Sequence, residues 1–339
     1  MIKKVALTLT GLLGLAVATG FAAGKTYVFG VVAKSNNNPV FQAAKTGAED
    51  EARALGEKNG VTIKIDWRTP NEEDAQKQVE AIEQLTNAGA SGIAVSCSDA
   101  NKLTDAIDKA VNNGVPVVTF DSDAPKSKRL TCFGTDDLEC GQQVMSELAK
   151  AMGGKGVVAI LGGNQNAPNL QKRVQGVKDE VKKYPDIKVL DTYYHKETPQ
   201  DAAAKVEQVQ QANPQITGWA MIGGWPLFTD NALKWQPGAV KCVAVDALPA
   251  ELGYLRDGHV EVLLAQQVYE WGTKSVDELY NYVANGTKPP NFVKADLIPV
   301  TKENVDQFAK NWDKWLGKTR AKSAAISLNG IETASVKTP

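Results

Sequence analysis

Polar side chains recur directly after the short apolar runs of this sequence, and they are the groups best suited to binding or chemistry. Each single Asn or Asp among them is equally suited to capping the helix that follows it. Because they follow most of the apolar runs, we interpret them as lining one shared cleft at the ends of the strands. These polar segments are Ser35–Asn38, Ser96–Asp99, Asp121–Asp123, Gly162–Asn169, Gly223–Trp225 and Asp246.

Motifs for catalysis and for cofactor binding do not occur at the expected places. Gly153–Gly156 precedes an apolar run and lacks the spacing of a phosphate-binding loop, and no GxGxxG follows the first strand. There is also no GxSxG nucleophile turn. Asp121 and Asp123 could form the acid–base pair of a glycosidase, but adjacent loop carboxylates more often cap helices or accept hydrogen bonds from hydroxyls. For Trp225, packing in the core and stacking on a ligand are both open.

The four cysteines form no CxxC pair, and the two histidines, His195 and His259, are far apart. This pattern argues against a zinc site or a thiol-redox site. A disulfide between Cys132 and Cys140 and burial of unpaired cysteines both remain open.

The apolar runs themselves are continuous rather than alternating, which predicts strands covered on both faces, as in parallel sheets. Amphipathic patterns between them predict helices, the first capped by Asn38 and the second by Asn71. This rhythm occurs twice and predicts two doubly wound α/β halves. The predicted strands are Tyr27–Val32, Val61–Ile65, Gly92–Val95, Val115–Phe120, Gly156–Leu161, Ile187–Thr192, Gly218–Ile222 and Val240–Val245. Later helices are predicted to open near Pro168, Pro199, Pro226 and Pro249 and to span Val268–Val283 and Glu303–Leu316.

Length and composition fit a soluble globular protein of two domains. The chain has 339 residues, of which 43% are hydrophobic and 23% charged. Its net charge of -1 provides no long-range field for nucleic acid or an anionic membrane. Residues 1–24 combine two lysines, an apolar run and small residues, which predicts a secretory signal peptide, with an uncleaved anchor as the alternative. Residues 319–339 are rich in Ser, Ala and Thr and are predicted to be a disordered tail.

Several segments together resemble the periplasmic sugar-binding proteins of ABC importers, related to ribose-, xylose- and glucose-binding proteins. They are VVAKSNNNPVFQAAKTGAEDEA, VVTFDSDAP, FGTDD, QKRVQGV, VAVDALP and LLAQQ, in order between about Lys25 and Lys318. The resemblance implies the type I fold of that family, with two similar parallel-sheet lobes, a three-crossing hinge and closure on one monosaccharide. The lobes would comprise residues 25–134 plus 267–295 and residues 135–266 plus 296–318.

The same resemblance implies a set of ligand-binding residues. Matching positions are Asn38, Phe41, Asp121, Arg173, Asp246 and Gln266. Ser122, Asp123 and Gly223 depart from the ribose-binding pattern, so we expect an aldose pyranose such as glucose, xylose or galactose. Asp123 and Asn169 would then also bind hydroxyls, and Trp225 would cover one sugar face. Carboxylates, amides and guanidinium groups suit a ring of hydroxyls, each of which donates and accepts.

The sequence thus predicts a periplasmic solute-binding component of an ABC transporter, not an enzyme. It would act as a monomer, deliver its monosaccharide to an inner-membrane permease, and need no cofactor, metal or nucleic acid. The alternative is a sensory protein whose lobes bind a small sugar-like signal and dock a membrane receptor or chemoreceptor.

Overall fold

The computed structural model describes residues 24–317. The predicted tail and, apart from Gly24, the predicted signal peptide lie outside the described residues. None of the helices in the described part of the chain is long and apolar enough to cross a membrane.

Strands and helices alternate along most of the described chain. The first elements are β1 (Thr26–Val32), α1 (Pro39–Asn59), β2 (Thr62–Trp67), α2 (Ala75–Asn87), β3 (Gly92–Val95), α3 (Ala100–Asn112), β4 (Val117–Phe120), β5 (Cys132–Gly134) and α4 (Asp137–Ala151). Next come β6 (Lys155–Gly163), α5 (Pro168–Glu180), β7 (Asp186–Tyr194), α6 (Pro199–Ala212), β8 (Gly218–Met221), β9 (Lys241–Val245), α7 (Glu251–Asp257) and β10 (Val262–Ala265). The last are α8 (Val268–Asn285), β11 (Phe292–Lys294), β12 (Ile298–Val300), α9 (Val305–Ala309) and α10 (Asn311–Trp315).

The strands form two six-stranded sheets, one in each lobe. The first has the order β11-β5-β4-β3-β1-β2 and is parallel throughout. The second has the order β12-β10-β9-β8-β6-β7 and is parallel except for β12, which pairs antiparallel with β10 at its edge. The predicted class of two doubly wound α/β lobes is therefore confirmed, with one antiparallel edge strand added.

The burial of the central strands explains why the continuous apolar runs predicted them. Every residue of β3, β4 and β8 is buried, as expected for central strands that helices cover on both faces. The edge strand β2 is only partly buried. The continuous runs thus mark the centres of the two sheets.

In each lobe, two helices pack closely against each other at a glycine. In the first lobe α1 packs on α8, where an added side-chain carbon on Gly47 would collide with the backbone oxygen of Tyr269. In the second lobe α4 packs on α5, where such a carbon on Gly176 would collide with the backbone oxygen of Leu138. Backbones this close bring the loops at the helix starts into the cleft at fixed positions.

Some predicted helix boundaries are wrong. The cap of α2 is Asp74, whose carboxylate accepts from the backbone N–H groups of Gln76 and Lys77, rather than Asn71. A single 3₁₀ turn, Trp225–Phe228, stands where a helix was predicted near Pro226. The predicted helix Glu303–Leu316 is divided into α9 and α10.

The chain passes between the two sheets at three places. These connections join β5 to α4, β10 to α8, and β11 to β12. The four cysteines are buried and unpaired, so the bridge between Cys132 and Cys140 is not formed.

Candidate functional site

A buried aspartate directly follows β4 in the first lobe, and another directly follows β9 in the second. Asp121 follows β4 with φ 57° and Asp246 follows β9 with φ 80°. Of the described residues other than glycine, only one more, Asn231, has a positive φ. A left-handed backbone is costly for a residue with a side chain and persists where the surroundings hold it, which is common at binding sites.

Asp121 accepts one hydrogen bond on each carboxylate oxygen, one from its own lobe and one from the other lobe. Ser96, after β3, donates through Oγ to Oδ2 of Asp121 at 2.7 Å. Asn169, in the first turn of α5, donates through Nδ2 to Oδ1 at 3.3 Å. The first-lobe carboxylate and the second-lobe amide therefore face each other across the cleft.

Arg173 is the central donor of the second lobe and is only 2% exposed. Its Nε donates to Oδ1 of Asp137 at 2.9 Å, and its two terminal nitrogens donate to the Ile222 carbonyl at 3.2 Å and to Oε1 of Gln266 at 2.7 Å. Gln266 in turn donates through Nε2 to Oδ1 of Asp246 at 2.7 Å. Five sequence-predicted residues thus form two hydrogen-bonded groups, Asp121 with Asn169 and Arg173 with Gln266 and Asp246, and the charge of Asp121 also acts on Arg173. We call these five residues the inner cluster.

Electrostatics in the inner cluster favour hydrogen-bond donors. Burial raises the pKa of Asp246, although the hydrogen bond from Gln266 and the charge of Arg173 oppose that rise. A desolvated carboxylate gains from each donor that reaches it. A polyhydroxylated ligand could replace the contacts that these side chains now make with one another.

A cleft of about 990 Å³ is lined by residues of both lobes, and none of the inner-cluster residues is among them. Asn38 and Phe41 line it, as does His195 from the second lobe. Asn38 accepts the Val40 N–H at 3.2 Å and so caps α1, as predicted, while the Phe41 ring packs 5.9 Å from Trp271. Asn38 therefore both caps a helix and borders the cleft.

Asp123 lies apart from the inner cluster. Arg129 donates to both of its carboxylate oxygens at 2.6 Å, and Thr119 donates to Oδ1 at 2.6 Å. Since its oxygens are already engaged, we leave Asp123 out of the proposed binding set and assign it to holding the loop after β4.

Trp225 packs beneath the cleft. Its ring lies 5.0 Å from that of His195, and a side-chain carbon on Gly163 or Gly223 would collide with it. The indole therefore occupies the space that a ligand Asn in place of Gly223 would need. We accordingly propose a packing role for Trp225 in place of the predicted stacking on the sugar.

Several charged residues near the cleft were missed by the sequence reasoning. Lys34 follows β1 within the KSNNNPVF segment, and Asp137 is part of the FGTDD crossover. Both segments belong to the resemblance, so these two residues could have been identified from the sequence. Glu73 and Glu197 stand in loops without any such motif. Residues 24–317 contain no cluster of His, Cys, Asp and Glu that could hold a metal ion.

Glu251 is a fully buried carboxyl group behind Asp246. Its Oε2 accepts the Leu248 N–H, and its Oε1 has no partner among the described residues. Burial, reinforced by the Asp246 carboxylate, raises the pKa of Glu251 well above its usual range. Burial and the neighbouring Asp246 thus favour the neutral form of Glu251 in the folded protein.

We expect Glu251→Gln to become increasingly stabilising, relative to the natural protein, as the pH rises. The folded state holds a proton that the unfolded state releases above its ordinary pKa, so the natural protein loses up to about 1.4 kcal/mol of stability per pH unit there. Urea unfolding of both proteins at pH 5, 6 and 7 measures the difference. A difference that is constant with pH would contradict a neutral buried carboxyl.

Two α/β lobes with a polar cleft between them define a two-lobed ligand-binding protein. Over residues 29–288 the chain matches the family described as periplasmic binding protein domain. It is 30% identical to a ribose import binding protein of Bacillus subtilis (strain 168) over 80% of this chain and 87% of that protein. The D-allose-binding periplasmic protein of Escherichia coli (strain K12) is 27% identical, with 86% and 96% covered.

A solved structure shows the same architecture. An ABC transporter solute-binding protein from Burkholderia graminis C4D1M, in complex with D-arabinose, is 28% identical with a TM-score of 0.77. The alignment covers 83% of this chain and 97% of that one. The chain therefore belongs to the periplasmic binding protein family.

Proposed function

We propose that this protein is the sugar-binding component of an ABC importer and takes one aldopyranose between its lobes. The observation that carries the proposal is the inner cluster, in which Asp121 of one lobe meets Asn169 and, beyond it, the Arg173–Gln266–Asp246 chain of the other. Relatives named for ribose, allose and apiose binding support a sugar ligand. These relatives are binding proteins, and we assign no turnover to this one.

The donors and acceptors of the inner cluster match a sugar ring. Charge-assisted hydrogen bonds contribute about 1.5–3 kcal/mol each, so a few of them suffice for tight binding. Phe41 at the edge of the cleft offers an apolar face for the C–H side of the ring. Glucose and xylose present equatorial ring hydroxyls together with an apolar ring face, and galactose differs from glucose only in its axial 4-hydroxyl.

Closure of the lobes would be the signal that a permease reads. We place the hinge at residues 134–136, 266–268 and 294–297, where the chain passes between the sheets. A ligand that contacts both lobes only when they meet shifts the population toward the closed state. We further propose a monomeric protein that acts in the periplasm.

We expect an aldopyranose to raise the melting temperature of the protein without residues 1–24. Binding to the native state at 100 times Kd adds about 2.7 kcal/mol, which corresponds to about 3–8 °C for a chain of this size. A thermal-shift panel of glucose, xylose, galactose and ribose, with L-leucine as the negative control, measures it. A preference for ribose would contradict the aldopyranose choice, and no response to any sugar would contradict the function.

A further inference from the structure

A buried lysine lies between two glutamates at the outer end of the cleft. Lys34, only 3% exposed, has its Nζ 3.8 Å from Oε1 of Glu73 and 3.9 Å from Oε1 of Glu197. Lys34 and Glu73 belong to the first lobe, whereas Glu197 follows β7 in the second. We call these three residues the outer triad, and all of them line the cleft.

The facing atoms of the outer triad are unsatisfied. Oε1 of Glu73 and Oε1 of Glu197 are out of contact with solvent and accept no hydrogen bond from any residue in 24–317. Both are too far from Nζ of Lys34 for a direct hydrogen bond. Buried polar atoms without partners are rare in folded proteins, and their presence around a cleft points to a group that is supplied by the ligand.

The charges of the outer triad determine which kind of ligand group it can bind. The carboxylates of Glu197 and Glu73 outweigh the effect of burial and raise the pKa of Lys34, so it remains an ammonium. A ligand ammonium would be repelled by Lys34, and a ligand carboxylate would be repelled by Glu73 and by the ionised form of Glu197. A neutral hydroxyl can accept from Nζ of Lys34 and donate its one proton to either Oε1 atom.

The outer triad lies next to the inner cluster. Asp121 and Arg173 are close enough to act on the charge of Lys34. Burial, together with the charges of Glu73 and, to a smaller extent, Asp121, raises the pKa of Glu197 to about 7, although Lys34 opposes that rise. A ring whose hydroxyls occupy the inner cluster would reach the triad with the substituent that projects furthest from it. In an aldohexopyranose that substituent is the exocyclic hydroxymethyl group, which an aldopentopyranose lacks.

We propose that Lys34, Glu73 and Glu197 bind the exocyclic hydroxyl of a hexose, which makes them specificity-determining residues against pentoses and 6-deoxy sugars. This inference rests on the proposed function and narrows its ligands from aldopyranoses to hexoses. Because Glu197 approaches Lys34 from the opposite lobe, the contact is completed only when the lobes are closed.

Titration calorimetry with matched sugars tests the inference. D-Glucose is compared with 6-deoxy-D-glucose and D-xylose, and D-galactose with D-fucose. The natural protein should bind each hexose about 10- to 100-fold more tightly than its partner, because the missing hydroxyl leaves buried charges unpaired. D-Glucuronate, which carries a carboxylate at the same carbon, should bind at least as poorly as the 6-deoxy sugar.

Glu197→Ala connects the preference to the outer triad. The variant should bind the hexose more weakly than the natural protein does, and it should bind the 6-deoxy sugar equally well. The ratio of the two affinities should therefore fall to about threefold or less. Glu73→Ala provides a second variant, and Glu57→Ala, at an exposed position on α1, should keep the natural ratio. Equal binding of hexose and 6-deoxy sugar by the natural protein, or an unchanged ratio in both triad variants, would overturn this inference alone. Binding of no aldopyranose at all would overturn the proposed function and the inference together.

Discussion

Arg173→Ala should abolish measurable sugar binding. The change removes a donor with three hydrogen bonds at 2.7–3.2 Å and leaves Gln266 and Asp137 without their partner. Loss of two or three charge-assisted bonds corresponds to at least about a 100-fold weaker affinity. Calorimetry with the sugar identified by the thermal-shift panel measures this loss.

The fold should survive Arg173→Ala, although at reduced stability. Leaving the buried Asp137 carboxylate unpaired costs about 3–5 kcal/mol, and circular dichroism should still show one cooperative transition. Arg173→Lys should recover only part of the affinity, because an ammonium lacks the planar fork.

Two further variants distinguish the effect of the inner cluster on affinity from the effect of a surface charge. Asp246→Ala should lose binding as Arg173→Ala does, because Asp246 accepts from Gln266 in the same network. Arg256→Ala removes an arginine of the same lobe whose ion pair with Asp306 is exposed, and it should leave affinity unchanged. Affinities within threefold of the natural protein for both inner-cluster variants would refute their assignment to the site.

Trp225→Ala should destabilise the empty protein by about 3–5 kcal/mol. Its side chain is 4% exposed and packs in the core of the second lobe against Gly163, Gly223 and His195. The expected result is a clearly lower melting temperature with nearly unchanged affinity of the folded fraction. Trp235→Ala serves as the matched control, because Trp235 is only half-buried in the same lobe. This change should lower the stability of the empty protein by less than Trp225→Ala does.

The two roles of Trp225 predict different pairs of measurements. If the ring stacked on the sugar, affinity would fall by an order of magnitude and the melting temperature of the empty protein would hardly change. Measuring unfolding without ligand and binding below the transition therefore decides between packing and stacking.

The alternation of buried strands and amphipathic helices could be predicted from the sequence because it depends on local patterns. Central strands such as β3 and β8 are apolar without interruption, since helices cover both of their faces. Parallel strands also send their carboxyl ends to one edge, so the positions of Asp121 and Asp246 directly after β4 and β9 followed from their place in the chain. The antiparallel pairing of β12 did not follow, because three residues carry no register signal.

The partners of each polar group were decided only by the tertiary structure. Asp121 and Asp123 are two residues apart and look alike in the sequence. Asp121, with a left-handed backbone, accepts from Ser96 and Asn169, whereas Arg129 donates to Asp123. The outer triad joins Lys34 to a glutamate in the other lobe, which no local pattern could indicate. Local periodicity determines which residues are buried, whereas long-range packing decides which buried charges meet, because the energies of those contacts depend on distances that the sequence does not encode locally.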